Sequence, residues 1–263
     1  MLRWDLYVQE EAQSGSWNMA VDEYLFRSLE DVPRTVLRFY QWIRATASLG
    51  YSQKVRDVAD LDFCRSHGID VVRRMTGGKL VLHFNEVTYS LCSSDTDIFS
   101  STLGESYRRI SEALVRGLER MGLSPTLADA PPQEYSRGNL PCFSYPARNE
   151  VEVQGKKIIG SAQKRIGARF IQHGSIPLKD ETDLLESVSF LKEQGGQVRS
   201  ISLSQALGRP VFFDWAVDHL VSGIKDYFSI IPSRITLSEK DLRAIRAIEK
   251  ERYSNPVWTA GRP

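Results

Sequence analysis

Two hydrophobic periods alternate along the chain. Residues 2–8 (LRWDLYV) place apolar side chains at every second position, the pattern of a half-buried strand. Residues 16–30 (SWNMAVDEYLFRSLE) bring back Met19, Val21, Tyr24, Leu25 and Leu29 near helical spacing. Residues 35–39 (TVLRF) and 46–50 (TASLG) read as strands, 57–67 as a helix ending at Gly68, and 69–74 (IDVVRR) as a strand running into MTGGK. Residues 80–92 (LVLHFNEVTYSLC) predict a second strand pair. A stripe of Tyr107, Ile110, Leu114, Leu118 and Met121 predicts a helix over 103–122. A loop follows over about 125–147, long enough for a functional role to be expected. Then comes a meander. Glu150 to Val153 alternates, Gln154-Gly155 turns, Lys157 to Lys164 returns, and Ile166-Gly167-Ala168 leads into Arg169 to Leu178. The remainder reads as helical, and Ser238 with Asp241 forms a capping-box-like start for a helix to about Tyr253. Strands and helices mix without βαβ regularity. The expected class is α+β, a mixed, largely antiparallel sheet flanked by helices. We expect a single domain over 1–263, with a core over about 1–178 and a mainly helical part over 179–263.

Composition narrows the setting. A 263-residue chain with 41% hydrophobic and 25% charged residues supports a sizeable core and a soluble surface. A net charge of +1 argues against a general nucleic-acid or membrane surface. The cysteines are Cys64, Cys92 and Cys142. An odd number in a chain this large reads as reduced thiols in a cytoplasmic protein. The N-terminus carries charges where a signal peptide needs an apolar stretch, and no apolar run approaches membrane-spanning length. No metal site is expected. Cys64 and Cys92 fall in periodic segments and read as core. Cys142 sits between two prolines in RGNLPCFSYPARNEV, in the long loop, either a spare thiol or a nucleophile.

Three polar stretches interrupt the core pattern. The first is Arg73-Arg74-Met75-Thr76-Gly77-Gly78-Lys79, followed by Val81, His83 and Glu86. Paired glycines let backbone N–H groups approach a ligand, and arginines suit a carboxylate or phosphate. A turn with solvated arginines is the plainer reading. The second is Gly155-Lys156-Lys157-Ile158-Ile159-Gly160-Ser161-Ala162-Gln163. Adjacent lysines on a strand point to opposite faces, so one is solvated while the other needs a purpose inside. Gly160, Ser161 and Ala162 leave room beside the strand. The third, Gln172-His173-Gly174-Ser175-Ile176, puts a histidine on a neighbouring strand. Each stretch alone also fits an ordinary hairpin or a polar strand end.

Together, RRMTGGKLVLH (73–83), KKIIGSAQKR (156–165) and QHGSI (172–176) resemble the lipoate/biotin protein ligase superfamily. SWNMAVDEYL (16–25) and RFYQWIRATASLGYSQ (38–53) are similar too, so the resemblance spans most of residues 1–178. Within it, Cys142-Phe143 before the meander is similar to the octanoyltransferase branch. The resemblance implies the biotin/lipoate ligase catalytic-domain fold. It also implies transfer of octanoate from octanoyl-acyl carrier protein to a lysine of a lipoyl domain, such as the glycine-cleavage H protein or a 2-oxoacid dehydrogenase subunit. Cys142 would carry the acyl thioester, with Lys157 as its partner. Arg73, Arg74, Gly77, Gly78, His83, Gly160, Ser161, Ala162 and His173 would bind substrate. Two positions depart from the family pattern: Lys79 stands where a third glycine is usual, and Phe84 where an aspartate is.

A thioester is already activated, so this transfer needs no ATP or other cofactor, and a cysteine divides it into two steps. A neighbouring ammonium would favour the thiolate, and could then stabilise the oxyanion or take a proton from the incoming amine. One alternative is an ATP- and Mg-dependent lipoate ligase, which shares the fold and the lysine. A second is a non-catalytic binder of acyl groups or lipoyl domains.

Overall fold

A computed structural model describes residues 3–99, 102–129, 149–190 and 198–261. Its frame is an eight-stranded sheet in the order β11-β1-β2-β6-β10-β9-β8-β7. The strands are β1 (Trp4–Val8), β2 (Thr35–Tyr40), β6 (Glu86–Ser93), β7 (Pro125–Leu127), β8 (Val151–Val153), β9 (Lys156–Ile166), β10 (Arg169–Pro177) and β11 (Ser233–Arg234). Only β1 pairs in parallel, with β2 and β11; every other neighbour is antiparallel. A second sheet has three strands in the order β4-β3-β5, made of β3 (Thr46–Leu49), β4 (Asp70–Arg73) and β5 (Val81–His83). The fold is thus α+β, with a largely antiparallel main sheet between helices.

The period-two pattern divides the main sheet into two faces. Leu37, Phe39, Tyr89, Leu91 and Phe170 point toward α4 (Leu103–Arg120) and α7 (Phe213–Phe228), where Ile110, Leu114, Leu118, Leu220 and Phe228 complete one core. Val36, Tyr40, Cys92 and Ile171 point the other way, toward α1 (Gly15–Ser28). Ser14 caps α1 by accepting from the Trp17 N–H, and Met19, Val21, Leu25 and Phe26 lay its apolar stripe on this face. Helix α1 covers only part of the face. The small sheet covers more, backed by its own core of Leu49, Val58, Cys64, Leu82, Leu185 and Val188. Space between the two sheets becomes the cleft described below.

Several boundaries differ from the sequence reading. The helix expected over 57–67 is two, α2 (Val55–Val58) and α3 (Leu61–Ser66). Ala59 is extended between them, and the Asp60 side chain accepts from Asp62 and Phe63 to start α3 afresh. The expected loop over 125–147 opens with β7, which pairs with β8. Residues 130–148, and Cys142 with them, lie outside the described residues. After α5 (Thr182–Val188) and α6 (Leu203–Leu207), the helix begun at Ser238 stays α-helical only through α8 (Glu239–Ile248). Glu249–Tyr253 widens to a π-helical turn before α9 (Pro256–Ala260). Among the described residues no helix is long and apolar enough to cross a membrane.

Candidate active site

The cleft floor is a row of side chains set by strand register. Gly160 on β9 lies opposite Ser175 on β10, Ser175 opposite Thr88 on β6, and Thr88 opposite Tyr40 on β2. All four line the cleft. At about 4.8 Å per strand, three such steps make a floor roughly 14 Å long. Ala162 and His173 pair in the next row on the same face and also line it. Met19 of α1 closes one side, and Ser48, Val81 and His83 of the small sheet form the opposing wall. Ser161 and Gly174 also line it, with Arg74 and Gly78 at the rim.

The glycine loop forms one lip. Gly78 takes φ +89°, a region costly for residues with a Cβ. Lys79 is not among the residues with positive φ, so it occupies the usual third-glycine position without strain. Arg74 lines the cleft, but its guanidinium is spent on the loop itself. It donates to the carbonyl oxygens of Ser48 at 2.8 Å, Gly77 at 2.8 Å and Lys79 at 2.7 Å. Gly77 is exposed and is not part of the lining. Arg73 departs furthest from expectation. It is fully buried, outside the cleft, and donates to the carbonyls of Gly50, Tyr51 and Gln53 on one side and of Trp258 and Thr259 on the other. Trp258 in turn donates Nε1–H to the Arg73 carbonyl at 2.9 Å. In this structure both guanidiniums that the sequence reading assigned to substrate are engaged with backbone carbonyls, and only Arg74 lies at the cleft.

The two histidines are wired differently. His173 uses both ring nitrogens: Nδ1 meets Asp22 Oδ2 at 3.0 Å and Nε2 meets Thr76 Oγ1 at 2.7 Å. Burial pushes its pKa below the ordinary histidine value, against the pull of Asp22. Burial works against the Asp22 carboxylate too, but Arg38, His173 and Ser90 outweigh it and hold the carboxyl below its usual range. Asp22 thereby ties α1 to β2, β6, β10 and the glycine loop. His83 meets Glu86 Oε1 through Nδ1 at 2.7 Å and stacks on Trp42, with centroids 4.2 Å apart and planes 10° apart. Glu86 also accepts from the hydroxyls of Thr88 and Ser175. The carboxylate beside His83 therefore comes from Glu86, while Phe84 lines a separate groove behind β5 with Leu82, Leu185 and Val198.

Lys156 is exposed and Lys157 is 1% exposed. A β-bulge decides which way Lys157 points. Val151 opposes Ile159 while Glu152 opposes Lys157, so Ile158 is the extra residue. Lys157 therefore shares a face with Glu152 and Glu150 and not with the core residue Ile159. Its ammonium meets Glu150 Oε2 at 2.7 Å, the charge partner that burial of an ammonium demands. Tyr107 of α4 reaches both Glu150 Oε1 and the Ser161 carbonyl at 3.5 Å. Cys64 and Cys92 are buried, and burial pushes the Cys64 thiol up to about 11 and Cys92 well above its ordinary value. Neither is a ready nucleophile.

Sequence reasoning assigned no role to Glu86, Asp22, Glu150 or Trp42. Glu86 had a signal, a carboxylate three residues after a histidine across a tight strand connection. Asp22 had one as well, an acidic residue on the buried stripe of an amphipathic helix. The pairing of Glu150 with Lys157 had none, since it depends on the bulge.

Comparison with known proteins completes the picture. Residues 14–225 match the lipoyl protein ligase A/B catalytic domain model. Octanoyltransferase LipM of Carboxydothermus hydrogenoformans is 35% identical, over 93% of this chain and 94% of its own. Octanoyltransferase LipM of Clostridioides difficile is 33% identical, over 97% of this chain and 98% of its own. The crystal structure of lipoate-protein ligase A bound with ATP superposes with a TM-score of 0.84 at 23% identity, covering all of both chains. The bipartite lipoate protein ligase of Thermoplasma acidophilum gives 0.80 at 24% identity, over 100% of this chain and 98% of its own. At these identities the structural likenesses speak for the fold, and the sequence matches for kinship. The chain belongs to the lipoyl protein ligase A/B catalytic domain family.

Proposed function

We propose that the chain is an octanoyltransferase of lipoate biosynthesis, moving octanoate from octanoyl-acyl carrier protein through a Cys142 thioester to a lysine of a lipoyl-domain protein. The observation that carries this reading is the 32–35% identity to several octanoyltransferases over more than nine-tenths of both chains. The cleft agrees with it. Its floor runs from Gly160 to Tyr40 with Met19 at the side, and the cavity of about 30 Å³ in this structure must widen to admit an acyl chain. Taking about 1.2 Å per bond from an extended backbone, the seven C–C bonds of octanoate span about 8 Å, well inside that floor.

Lys157 enters β9 three residues before Gly160, paired with Glu150 and not itself among the residues lining the cleft. An ammonium there favours the thiolate of Cys142 and later the oxyanion of the tetrahedral intermediate. No ATP and no metal takes part, because the thioester supplies the driving force. The acceptor is a lipoyl domain, such as that of the glycine-cleavage H protein or a 2-oxoacid dehydrogenase subunit, and the reaction runs in the cytoplasm. The ATP-dependent ligase reading rests on likeness of fold, the shared lysine and membership of a family that also holds ligases.

Incubation with octanoyl-acyl carrier protein should add one octanoyl mass at Cys142, located by peptide mass spectrometry. Cys142→Ser should abolish turnover, and Lys157→Ala should lower kcat far more than it raises KM. Absence of the adduct with an active carrier would sink the reading. Pyrophosphate release that requires lipoate and survives Cys142→Ser would replace it with the ligase.

A further inference from the structure

We propose that Glu150 is a positioning residue of the acyl transfer, one that holds the Lys157 side chain and aims its nitrogen through both halves of the reaction. The proposal rests on the acyl-transfer reading above. It adds a carboxylate that touches Lys157 but does not line the cleft.

The contact is fixed from both ends. Glu150 is buried, and its Oε2 meets the Lys157 ammonium at 2.7 Å. The Glu150 carbonyl accepts from the Ala128 N–H at 2.8 Å. Asn149, just before it, takes φ +66° and donates to the Ala128 carbonyl at 3.0 Å. Tyr107 of α4 reaches the second carboxylate oxygen, Oε1. The same hydroxyl reaches the carbonyl of Ser161, a cleft-lining residue, so the pair adjoins the cleft. Lys157 is clamped through its backbone. Its N–H donates to the Arg199 carbonyl and its carbonyl accepts from the Ile201 N–H, each at 3.0 Å, while β8 pairs with it through Glu152. The slack between the two anchors lies in the flexible four-carbon stem of the lysine.

A buried ion pair is a poor way to stabilise a fold. Desolvation cancels most of the attraction, and apolar side chains of similar volume often do as well or better. The bulge at Ile158 disrupts the ladder besides, and it is what turns Lys157 toward Glu150. A pinned carboxylate, a bulge and a clamped backbone all converge on one contact. That convergence points to chemistry at Lys157, with Glu150 as the group that orients it.

The proton balance shows where orientation matters. In the first half, the Cys142 thiolate bonds to the acyl carbon. The C–S bond to the carrier breaks with its electron pair going to the carrier sulfur, and Lys157 gives that sulfur a proton. Lys157 is then an amine with two N–H bonds and one lone pair. In the second half, the neutral acceptor amine bonds to the acyl carbon. The C–S bond to Cys142 breaks with its pair going to sulfur, and the surplus proton on nitrogen passes to Lys157. Thiolate and ammonium are restored, and the products are a carrier thiol and an amide. An acceptor arriving as the ammonium first gives its extra proton to water. Glu150 acts in both halves. A carboxylate only accepts, so it takes one N–H of the ammonium, and later one N–H of the amine. The lone pair of the amine is thereby turned away from Glu150. A glutamine in its place can donate as well as accept, and its NH2 group can occupy that lone pair.

Steady-state kinetics with octanoyl-acyl carrier protein and a lipoyl-domain protein test this. The proteins compared are wild type, Glu150→Gln, Glu150→Asp, Lys157→Met and the double variant, each checked by thermal unfolding. Glu150→Gln should lower kcat about 10–100-fold, as loss of an orienting partner does elsewhere, with KM for the donor within about twofold. Glu150→Asp keeps the carboxylate on a shorter stem and should recover part of the loss. In the Lys157→Met background, Glu150→Gln should change the residual rate less than about twofold, because Glu150 acts through Lys157. A wild-type kcat in Glu150→Gln, or a raised KM at unchanged kcat, would overturn the proposal. So would an equal fold-loss in the two backgrounds, the mark of a merely structural role. Wild type that fails to load octanoate overturns the acyl-transfer reading, and Lys157→Met with full activity removes the lysine from it; either result takes this proposal with it. If Glu150→Gln unfolds, or Lys157→Met turns over too slowly to measure, Glu150→Asp decides. A kcat lowered several-fold at unchanged KM then supports the proposal, and a wild-type kcat overturns it.

Discussion

Gly50 carries no polar atom beyond its backbone, yet it sets the height of the glycine loop. A Cβ at this position would lie 1.9 Å from the Gly78 carbonyl oxygen, which is backbone and cannot rotate aside. Gly50→Ala should therefore push the loop away from β3. We expect a stability loss of about 1–3 kcal/mol with a fall in transfer rate, measured by urea unfolding and single-turnover kinetics. An unchanged urea midpoint together with full activity would show that the loop is not seated on β3. Neighbouring arginines show how far residue-level reading reaches. The sequence presents Arg73-Arg74 as a pair with one function. The strand alternation that sends successive side chains to opposite faces gives them two, with Arg74 at the cleft and Arg73 in the wall behind it. Composition cannot reveal that both forks close on carbonyls, because Arg73 gathers its partners from segments far away in the chain and Arg74 takes two of its own from the loop that it helps to fold.

At the scale of elements, α9 behaves as a strap. None of its residues is buried, but its Trp258 and Thr259 carbonyls receive the Arg73 guanidinium and its indole packs against Arg252 at 4.3 Å. Ending the chain after Asn255 should leave a folded protein with a loosened glycine loop. KM for the octanoyl donor should rise several-fold with a smaller change in kcat, read from steady-state kinetics. If both constants stay at the wild-type values, the strap has no part in holding the loop. The strands around this site were largely legible, because period two survives in the central positions of β2, β6, β9 and β10. What stayed hidden was local irregularity. The bulge at Ile158 preserves the apolar pattern while reversing the direction of Lys157. The break at Ala59-Asp60 leaves a helical run of residues intact on paper, and only the side-chain cap of Asp60 restarts the helix.

Across the whole molecule, the buried charges make stability depend on pH in a stated direction. The folded pKa of His173 is below its unfolded value of about 6.5. In the window between the two, the unfolded chain binds more protons, so stability is lost as the pH falls from neutrality into it. Asp22, whose folded pKa is also lowered, contributes stability above its unfolded value of about 3.9, lost as the pH falls toward the folded value. Urea midpoints of wild type should thus decline on mild acidification, and His173→Gln should flatten the part near the histidine window. Equal slopes in the two proteins would contradict this assignment. The cleft and its family were readable because they rest on short contiguous motifs. The networks around Asp22, Glu86 and Glu150 were not, because each gathers partners from strands and helices that only the folded sheet brings together.

The clamp on Arg73 also has a consequence in time. Its last carbonyl partners lie 185 and 186 positions further along the chain. At about 5–20 residues per second, a ribosome needs roughly 10–40 s to reach them after making Arg73. Throughout that interval the turn over residues 50–53 can be gripped from one side only. The nascent chain can close every main-sheet strand but the edge strand β11 well before Trp258 and Thr259 can lock the glycine loop, so competence for acyl transfer trails the pairing of the central strands.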